Sequence, residues 1–495
     1  MTNLDHRPRT EPRPQTATRA ANGVVLAVLL MAIFMGQFDF FVVNVAAPSL
    51  RGDLGATDGA LQLIVGGYAF AYASGLVSGG RLGDMFGYRT MFAGGMLGFS
   101  AASLLCGVAT GPAQLAVFRL LQGATAAVML PQVLASVKAM FPASYQPRAM
   151  AWYGVTAGLG AVAGQALGGL LVSADVAGLG WRSIFLVNVP IGLVVAALAW
   201  RILPARVGRS DEQQPVAARL RQLDPLGAAG IAASLALVLV PLTLGRAMGW
   251  PAWAWGCLAA AVPAGAATLR WERAAGRRGL TPMLDLPLLR GPGFRAGVLA
   301  NVAFMLYFGS YMFTLSLLLQ AGLGLSALAA GLVFTPAALA FAAAALVARR
   351  LIERAGLRVI VGGAVLTAAG LAALGWRLAD AGLHAGLPAI VAATTVISLG
   401  NGFVLPSLIG VALADVPGRK AGVASGMLTA GQQFASSTGV ALIGAVFFAV
   451  AASRTGHAGY PVAMAWSAAV DAALILLVAA MIPIIGRSSR RNRAS

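Results

Sequence analysis

Charge is scarce in this sequence. Only 10% of its 495 residues are Asp, Glu, Lys or Arg, where a soluble domain carries about 25%. Too little polar surface is available to cover an ordinary water-soluble fold. Lys138 and Lys420 are the only lysines and neither follows a glycine, so there is no Walker A motif and no ATP hydrolysis through a P-loop. Cys106 and Cys257 each fall inside an apolar run and read as small core residues, not as a disulfide. His6, His384 and His457 are isolated and lack metal-ligand spacing. No HExxH or GxSxG occurs, so the chain is not read as an enzyme, and no cofactor or metal is expected. The net charge of +19 comes without a basic groove interleaved with aromatics, which excludes nucleic acid as a partner. Residues 1–22 are polar, rich in Pro and Arg, and have no apolar h-region. No cleaved signal is expected, and the first span must direct insertion.

What is abundant is apolar surface. Hydrophobic residues make up 59% of the chain and mean hydropathy is +0.80. Runs long enough to cross a bilayer, about 20 residues each, recur about fourteen times, from 23–47 through 421–451 to 463–485. This is an all-α polytopic membrane protein whose partner is the lipid bilayer. The arginines decide its orientation. With the amino terminus inside, about 29 of the 35 Lys/Arg fall in cytoplasmic segments. The opposite loops hold only Arg51, Arg182, Arg246, Arg377 and Arg454, so both termini are expected in the cytoplasm. The expected organisation is a tail (1–22), a six-helix half (23–202), cytoplasmic linkers around two extra spans (203–295), a second six-helix half (296–485) and a tail (486–495).

An internal repeat supports that division. Gly80 to Thr90 is a short charged stretch between two spans, with Asp84, Gly87 and Arg89 in order. The run Leu351 to Arg358 repeats it with Glu353, Gly356 and Arg358. Matching loops in two halves are the mark of a duplicated carrier, and they read as conformational switches.

A few polar residues lie at membrane depth, where each is costly and therefore informative. Asp39 is about nine residues from the outer end of its run, about 13 Å deep at 1.5 Å per residue. Arg119, about seven residues in, lies at a similar depth of about 10 Å. An arginine keeps its charge, so it needs a carboxylate or a hydrated cavity, and Asp39 is the best partner by depth. Desolvation and a nearby cation pull a buried carboxyl in opposite directions, the balance a proton carrier requires. Gly160, Gly164 and Gly168 form one ridge, with Ala161 and Gly169 beside it. The ridge suits close helix approach, either generic packing or a seal between the two halves. Asp471 reads as a second protonation site, a cation contact or a residue of a solvated cavity. Gln432 and Gln433 either face a cavity or join helices. Phe304, Phe308, Tyr311 and Met312 read as lipid-facing bulk or as an adaptable wall for aromatic ligands. With Asn44 and Gln122, these residues other than Phe304 are the candidates for lining a substrate cavity.

Taken together, these motifs resemble the major facilitator superfamily, in particular its fourteen-span drug:proton antiporters. Gly80 to Thr90 resembles the signature loop, departing at Met85 and Tyr88, where a basic residue is usual. Asp39 to Pro48 resembles the first-span pattern, with Phe41 in place of Thr. Arg119-Leu120-Leu121-Gln122-Gly123 matches the Arg-x-x-Gln-Gly motif that the family links to proton transfer. Gly160 to Gly169 resembles the antiporter motif, with Gln165 in place of Pro. Trp181 to Phe185, Asn188-Val189-Pro190, Leu319-Gln320, Ala330-Gly331 and Pro336 match further positions. The resemblance implies a proton-coupled exporter of amphipathic drugs in the cytoplasmic (inner) membrane. Its two halves would rock, a proton gradient would supply the energy, and a periplasmic adaptor is implied if the source has an outer membrane. The alternative is a dedicated exporter of one metabolite or antibiotic. A membrane receptor or integral-membrane enzyme is disfavoured by the duplicated halves and the missing catalytic constellation.

Overall fold

The computed structural model describes residues 19–142, 145–205, 224–245, 248–277, 286–413, 416, 421–454 and 456–494. Backbone groups in hydrocarbon must pair among themselves, and helices do this within one segment. The described residues form α1 (Arg19–Leu54), α2 (Asp58–Phe86), α3 (Tyr88–Gly107), α4 (Pro112–Met140) and α5 (Gln146–Ala174). The sixth span, α6 (Gly180–Ile202), is built from a short helix, Ser183–Leu186, and a longer one, Asn188–Ile202. Then follow α7 (Pro225–Leu244), α8 (Ala252–Arg277), α9 (Pro292–Leu317), α10 (Ala327–Ala355) and α11 (Arg358–Ala381). The last three are α12 (Leu387–Leu413), α13 (Ala421–Ala452) and α14 (Gly459–Ala494). Thirteen of the described helices are long and apolar enough to cross a membrane. The expected fourteenth, α7, has a shorter apolar stretch, Ala229–Leu242.

Several expected boundaries move. α1 does not stop near residue 47 but continues through Pro48 to Leu54. α14 runs on as helix to Ala494, through most of the expected tail. The Gly80–Thr90 stretch is not an extended loop. α2 continues to Phe86, α3 begins at Tyr88, and the whole reversal is made at Gly87, with φ of 90°. A positive φ there strains any residue with a Cβ. Most of the expected linker, residues 206–223, lies outside the described residues.

The duplication is visible in element detail. Thr57 caps α2 by accepting from the Ala60 amide at 3.3 Å, and Ser326 caps α10 by accepting from Ala329 at 3.2 Å. Both helices have 29 residues, and both end at a glycine of positive φ, Gly87 and Gly356. Packing repeats as well. In the first half α1 packs on α4, α5 and α6, α4 on α2 and α3, and α3 on α6. The same pairs recur in the second half with every helix number raised by eight.

The halves meet along two matching seams, α2 with α13 and α5 with α10. Hydrogen bonds join them toward the end where α2 and α10 begin. Ser437 Oγ donates to the Gly66 carbonyl (2.7 Å), Ser316 Oγ to the Asn44 carbonyl (2.9 Å) and the Leu328 amide to Ser173 Oγ (3.1 Å). The extra pair breaks the symmetry: α7 packs on α2 and α13, covering one seam, and α8 packs on α7.

Candidate functional site

Arg119 and Gln122 are three residues apart and share one face of α4. That face looks into the first half. Arg119 Nη1 donates to Asp39 Oδ2 on α1, and both side chains have no exposed surface. Gln122 Nε2 donates to Asp39 Oδ1 at 2.8 Å and to Ser103 Oγ on α3 at 2.8 Å. Asn188 Nδ2 on α6 adds a third donor to Asp39 Oδ1, at 2.9 Å. Arg119 also donates through Nη1 to Gln122 Oε1 (2.7 Å) and through Nε to the Ile64 carbonyl on α2 (3.1 Å). Its guanidinium lies 4.7 Å from the Tyr68 ring centroid and 5.7 Å from that of Phe185.

Three helices therefore meet at one carboxyl, and Ser103 on α3 and the Ile64 carbonyl on α2 hold its donors. Each of its three donors brings its own hydrogen, so Asp39 receives them as an acceptor-only, ionised group whose charge Arg119 balances. A buried pair of this kind persists only when its remaining lone pairs and hydrogens are satisfied. Gln122, Asn188 and the Ile64 carbonyl do most of that here, while Arg119 Nη2 is left without a hydrogen-bond partner among the described residues. The chemistry available is reversible protonation at Asp39, at the expense of these bonds. Neither residue touches a solvent-open surface in this conformation.

The second half holds a different polar cluster. Tyr307 on α9 donates its hydroxyl to Asn401 Oδ1 on α12 at 2.9 Å, and Thr367 Oγ1 on α11 reaches the same oxygen at 3.3 Å. Asp471 on α14 is fully buried, with Oδ1 2.8 Å from Ser310 Oγ on α9. Gln432 is buried and donates to Asn301 Oδ1 at 2.7 Å, so it joins α13 to α9. Gln433 is half-buried. Asn44 is buried with Oδ1 unpartnered.

Two readings of packing need correction. The ridge of Gly160, Gly164 and Gly168 does not face the other half; it faces α1. A Cβ on Gly160 would stand 2.7 Å from the Phe34 carbonyl oxygen, and one on Gly164 2.7 Å from that of Phe38. Gly168 meets Val42. Only the flank of the ridge crosses to α10, where Gly169 meets Ala327 and Gly331 meets the Gln165 carbonyl. Gln165 itself is buried with both side-chain polar atoms unpartnered. The α9 aromatic stripe is not lipid-facing bulk either. Phe304, Tyr311 and Met312 are buried, while Phe308 is half-buried and meets Phe41 of α1 edge-on at 5.8 Å, across the two halves.

At the turn between α2 and α3, Asp84 Oδ1 accepts from Tyr88 Oη at 2.9 Å. Burial raises the Asp84 carboxyl above its usual range, against the Tyr88 bond and the nearby Arg81. Arg89 does not pair with Asp84. It donates to the Trp200 carbonyl at the end of α6 (3.4 Å) and stacks on that ring, 4.6 Å from its centroid. Gly356 and Arg358 keep the equivalent positions between α10 and α11, after Glu353 in the last turn of α10.

Asn188, Ser103 and Ser310 were not among the expected site residues. An amide in an apolar span is a signal for Asn188, but lone serines carry none, because a serine can bond its own helix backbone anywhere.

The profile of the Major Facilitator Superfamily matches residues 29–440. The probable actinorhodin transporter of Streptomyces coelicolor is 38% identical over 444 residues, covering 90% of this chain and 75% of that protein. The cephamycin export protein CmcT of Amycolatopsis lactamdurans is 34% identical over 511 residues, covering 99% of this chain and 97% of that protein. A solved bacterial homolog of the human lysosomal transporter Spinster, in an inward-facing and unoccupied conformation, matches with a TM-score of 0.65 at 16% identity. That match covers 95% of this chain and 98% of the other. With that profile spanning most of both six-helix halves, and the halves built alike, the chain belongs to the Major Facilitator Superfamily.

Proposed function

We propose that this protein exports small amphipathic organic molecules across the cytoplasmic membrane in exchange for protons. Asp39 carries the proton and Arg119 sets its affinity. The observation that carries this reading is the buried Asp39–Arg119 pair, enclosed by Gln122 and Asn188. In the opposite conformation water reaches the pair, a proton neutralises Asp39, and Arg119 loses its counter-charge. The two protonation states then favour different arrangements of the first half, and rocking moves substrate one way and protons the other. No cofactor or chemical change of the substrate is involved.

The arginine distribution supports cytoplasmic tails and linkers, which puts the Thr57 and Ser326 ends of α2 and α10 on the outer face. The hydrogen bonds joining the halves there seal the outer side. If the source has an outer membrane, a periplasmic adaptor would continue the path. The names of the two relatives, one for cephamycin export and one for actinorhodin transport, favour a second reading in which one antibiotic or metabolite is the dedicated substrate.

Everted membrane vesicles test the proposal. Dye and drug uptake is expected to need an imposed pH gradient and to stop in Asp39→Asn. Uptake that ignores the gradient would overturn proton coupling.

A further inference from the structure

Among the described residues, Asp39 and Asp471 are the two fully buried aspartates of the spans, and their hydrogen-bond environments differ in kind. Ser310 Oγ lies 2.8 Å from the Tyr307 carbonyl oxygen and also 2.8 Å from Asp471 Oδ1. Both distances are those of hydrogen-bonded oxygens. A serine hydroxyl owns one hydrogen, and a carbonyl oxygen owns none. If Asp471 were ionised, three oxygens in a row would share one hydrogen, and one of the two contacts would be bare repulsion between lone pairs. If the hydrogen sits on Asp471 Oδ1, both contacts are satisfied: Asp471 donates to Ser310, and Ser310 donates to the Tyr307 carbonyl.

The surroundings agree. The helices packed against α14 are α9, α11 and α13. From α9, the titratable side chains facing Asp471 are Tyr307 and Tyr311. α13 contains no Asp, Glu, Lys, Arg, His, Cys or Tyr between residues 421 and 452. The charged residues of α11 are Arg358, at its start, and Arg377 and Asp380, which pair with each other at its end. No cation faces Asp471 among the described residues, and its Oδ2 has no hydrogen-bond partner. An ionised carboxylate with one shared hydroxyl and no cation is not a tenable buried group.

We propose that Asp471 is a second proton-carrying carboxyl, which holds its proton in the conformation where Asp39 has lost its own. In this conformation the neutral acid offers no charge to a cationic substrate, and no part of the side chain is exposed to a solvated cavity. Ser467, one turn earlier on α14, is buried with an unpartnered hydroxyl and offers the next step of a proton path. The carrier part of the proposal rests on the proton-exchange reading above; the protonation itself does not.

Infrared spectra of the purified full-length protein at neutral pH separate the two. The carbonyl stretch of a buried carboxylic acid is expected in the wild type and in Asp39→Asn, and is expected to be lost in Asp471→Asn. Ser310→Ala, which removes the acceptor of that proton together with its own bond to the Tyr307 carbonyl, should move that band to higher wavenumber and keep it, a readout that does not need the Asp471 variant to fold. A band that persists in Asp471→Asn, vanishes in Asp39→Asn, or ignores Ser310→Ala would overturn the assignment. In proteoliposomes Asp471→Asn should move one proton fewer per substrate molecule, and an unchanged ratio would overturn the carrier role. Wild-type transport that is indifferent to pH would sink the exchange reading while leaving the infrared result standing.

Discussion

Arg119 reaches Asp39 across 80 positions of chain, and neither side chain keeps any exposed surface. The pair joins α4 to α1, and its neighbours Asn188 and Ser103 bring in α6 and α3. A change of charge at Asp39 therefore bears on the packing of most of the first half.

Asp39→Asn keeps the shape of the side chain and removes the charge, so pH-driven efflux should stop, and the uncompensated Arg119 should cost stability as well. Arg119→Ala should break the same pair from the other side. It leaves a buried carboxylate without its cation, a loss of roughly 3–5 kcal/mol for a broken buried pair. Thermal melting in detergent, alongside transport, checks both; a wild-type melting temperature in either variant would count against the pair as drawn.

The proposed outer seal can be locked. A Cβ built on Gly66 stands 2.9 Å from Ser437 Oγ, across the α2–α13 seam. Cysteines at both positions should form a disulfide, since Cβ atoms need to be about 3.5–4.5 Å apart. Transport should vanish on oxidation and return on reduction. Failure to cross-link in everted vesicles would mean that this seam is not closed in the resting carrier.

Gly164→Val should destabilise the first half by about 1–3 kcal/mol, because a side chain there overpacks α5 against the Phe38 carbonyl. Gly154→Ala, where nothing stands within 4 Å, is the neutral control. A melting curve for Gly164→Val that matches the control would refute the α1–α5 contact.

At the α2–α3 turn, burial raises the Asp84 carboxyl, so its ionised form costs the fold some stability as pH rises through that raised value. Asp84→Asn removes the cost. Stability at neutral pH should hold or improve while transport falls, if the charge serves the conformational switch and not the fold. Normal transport rates at equal surface expression would argue against a switch.

A cysteine at Ser210, which lies outside the described residues, should resist impermeant thiol reagents applied to intact cells. Labelling from outside would reverse the orientation.

Much of this was legible in the sequence because the bilayer imposes it residue by residue. A span needs about 20 apolar residues whatever it packs against, so the helices could be counted in advance. Asp84, Gly87 and Arg89 against Glu353, Gly356 and Arg358 is a linear pattern, and so was the duplication. Arg119 at membrane depth demanded a partner, and depth alone pointed to Asp39. What the sequence could not carry is direction around each helix axis. Apolar residues surround a membrane helix on every side, so no amphipathic stripe told whether Gly160, Gly164 and Gly168 faced α1 or the other half, or whether Tyr311 and Met312 faced lipid or protein. That choice is made by packing with helices distant in sequence. The same holds for Asn188 as donor to Asp39, and for the single hydrogen that Ser310 must place between Tyr307 and Asp471. Hydrogen bonds between spans depend on which faces meet, and only the tertiary structure decides that.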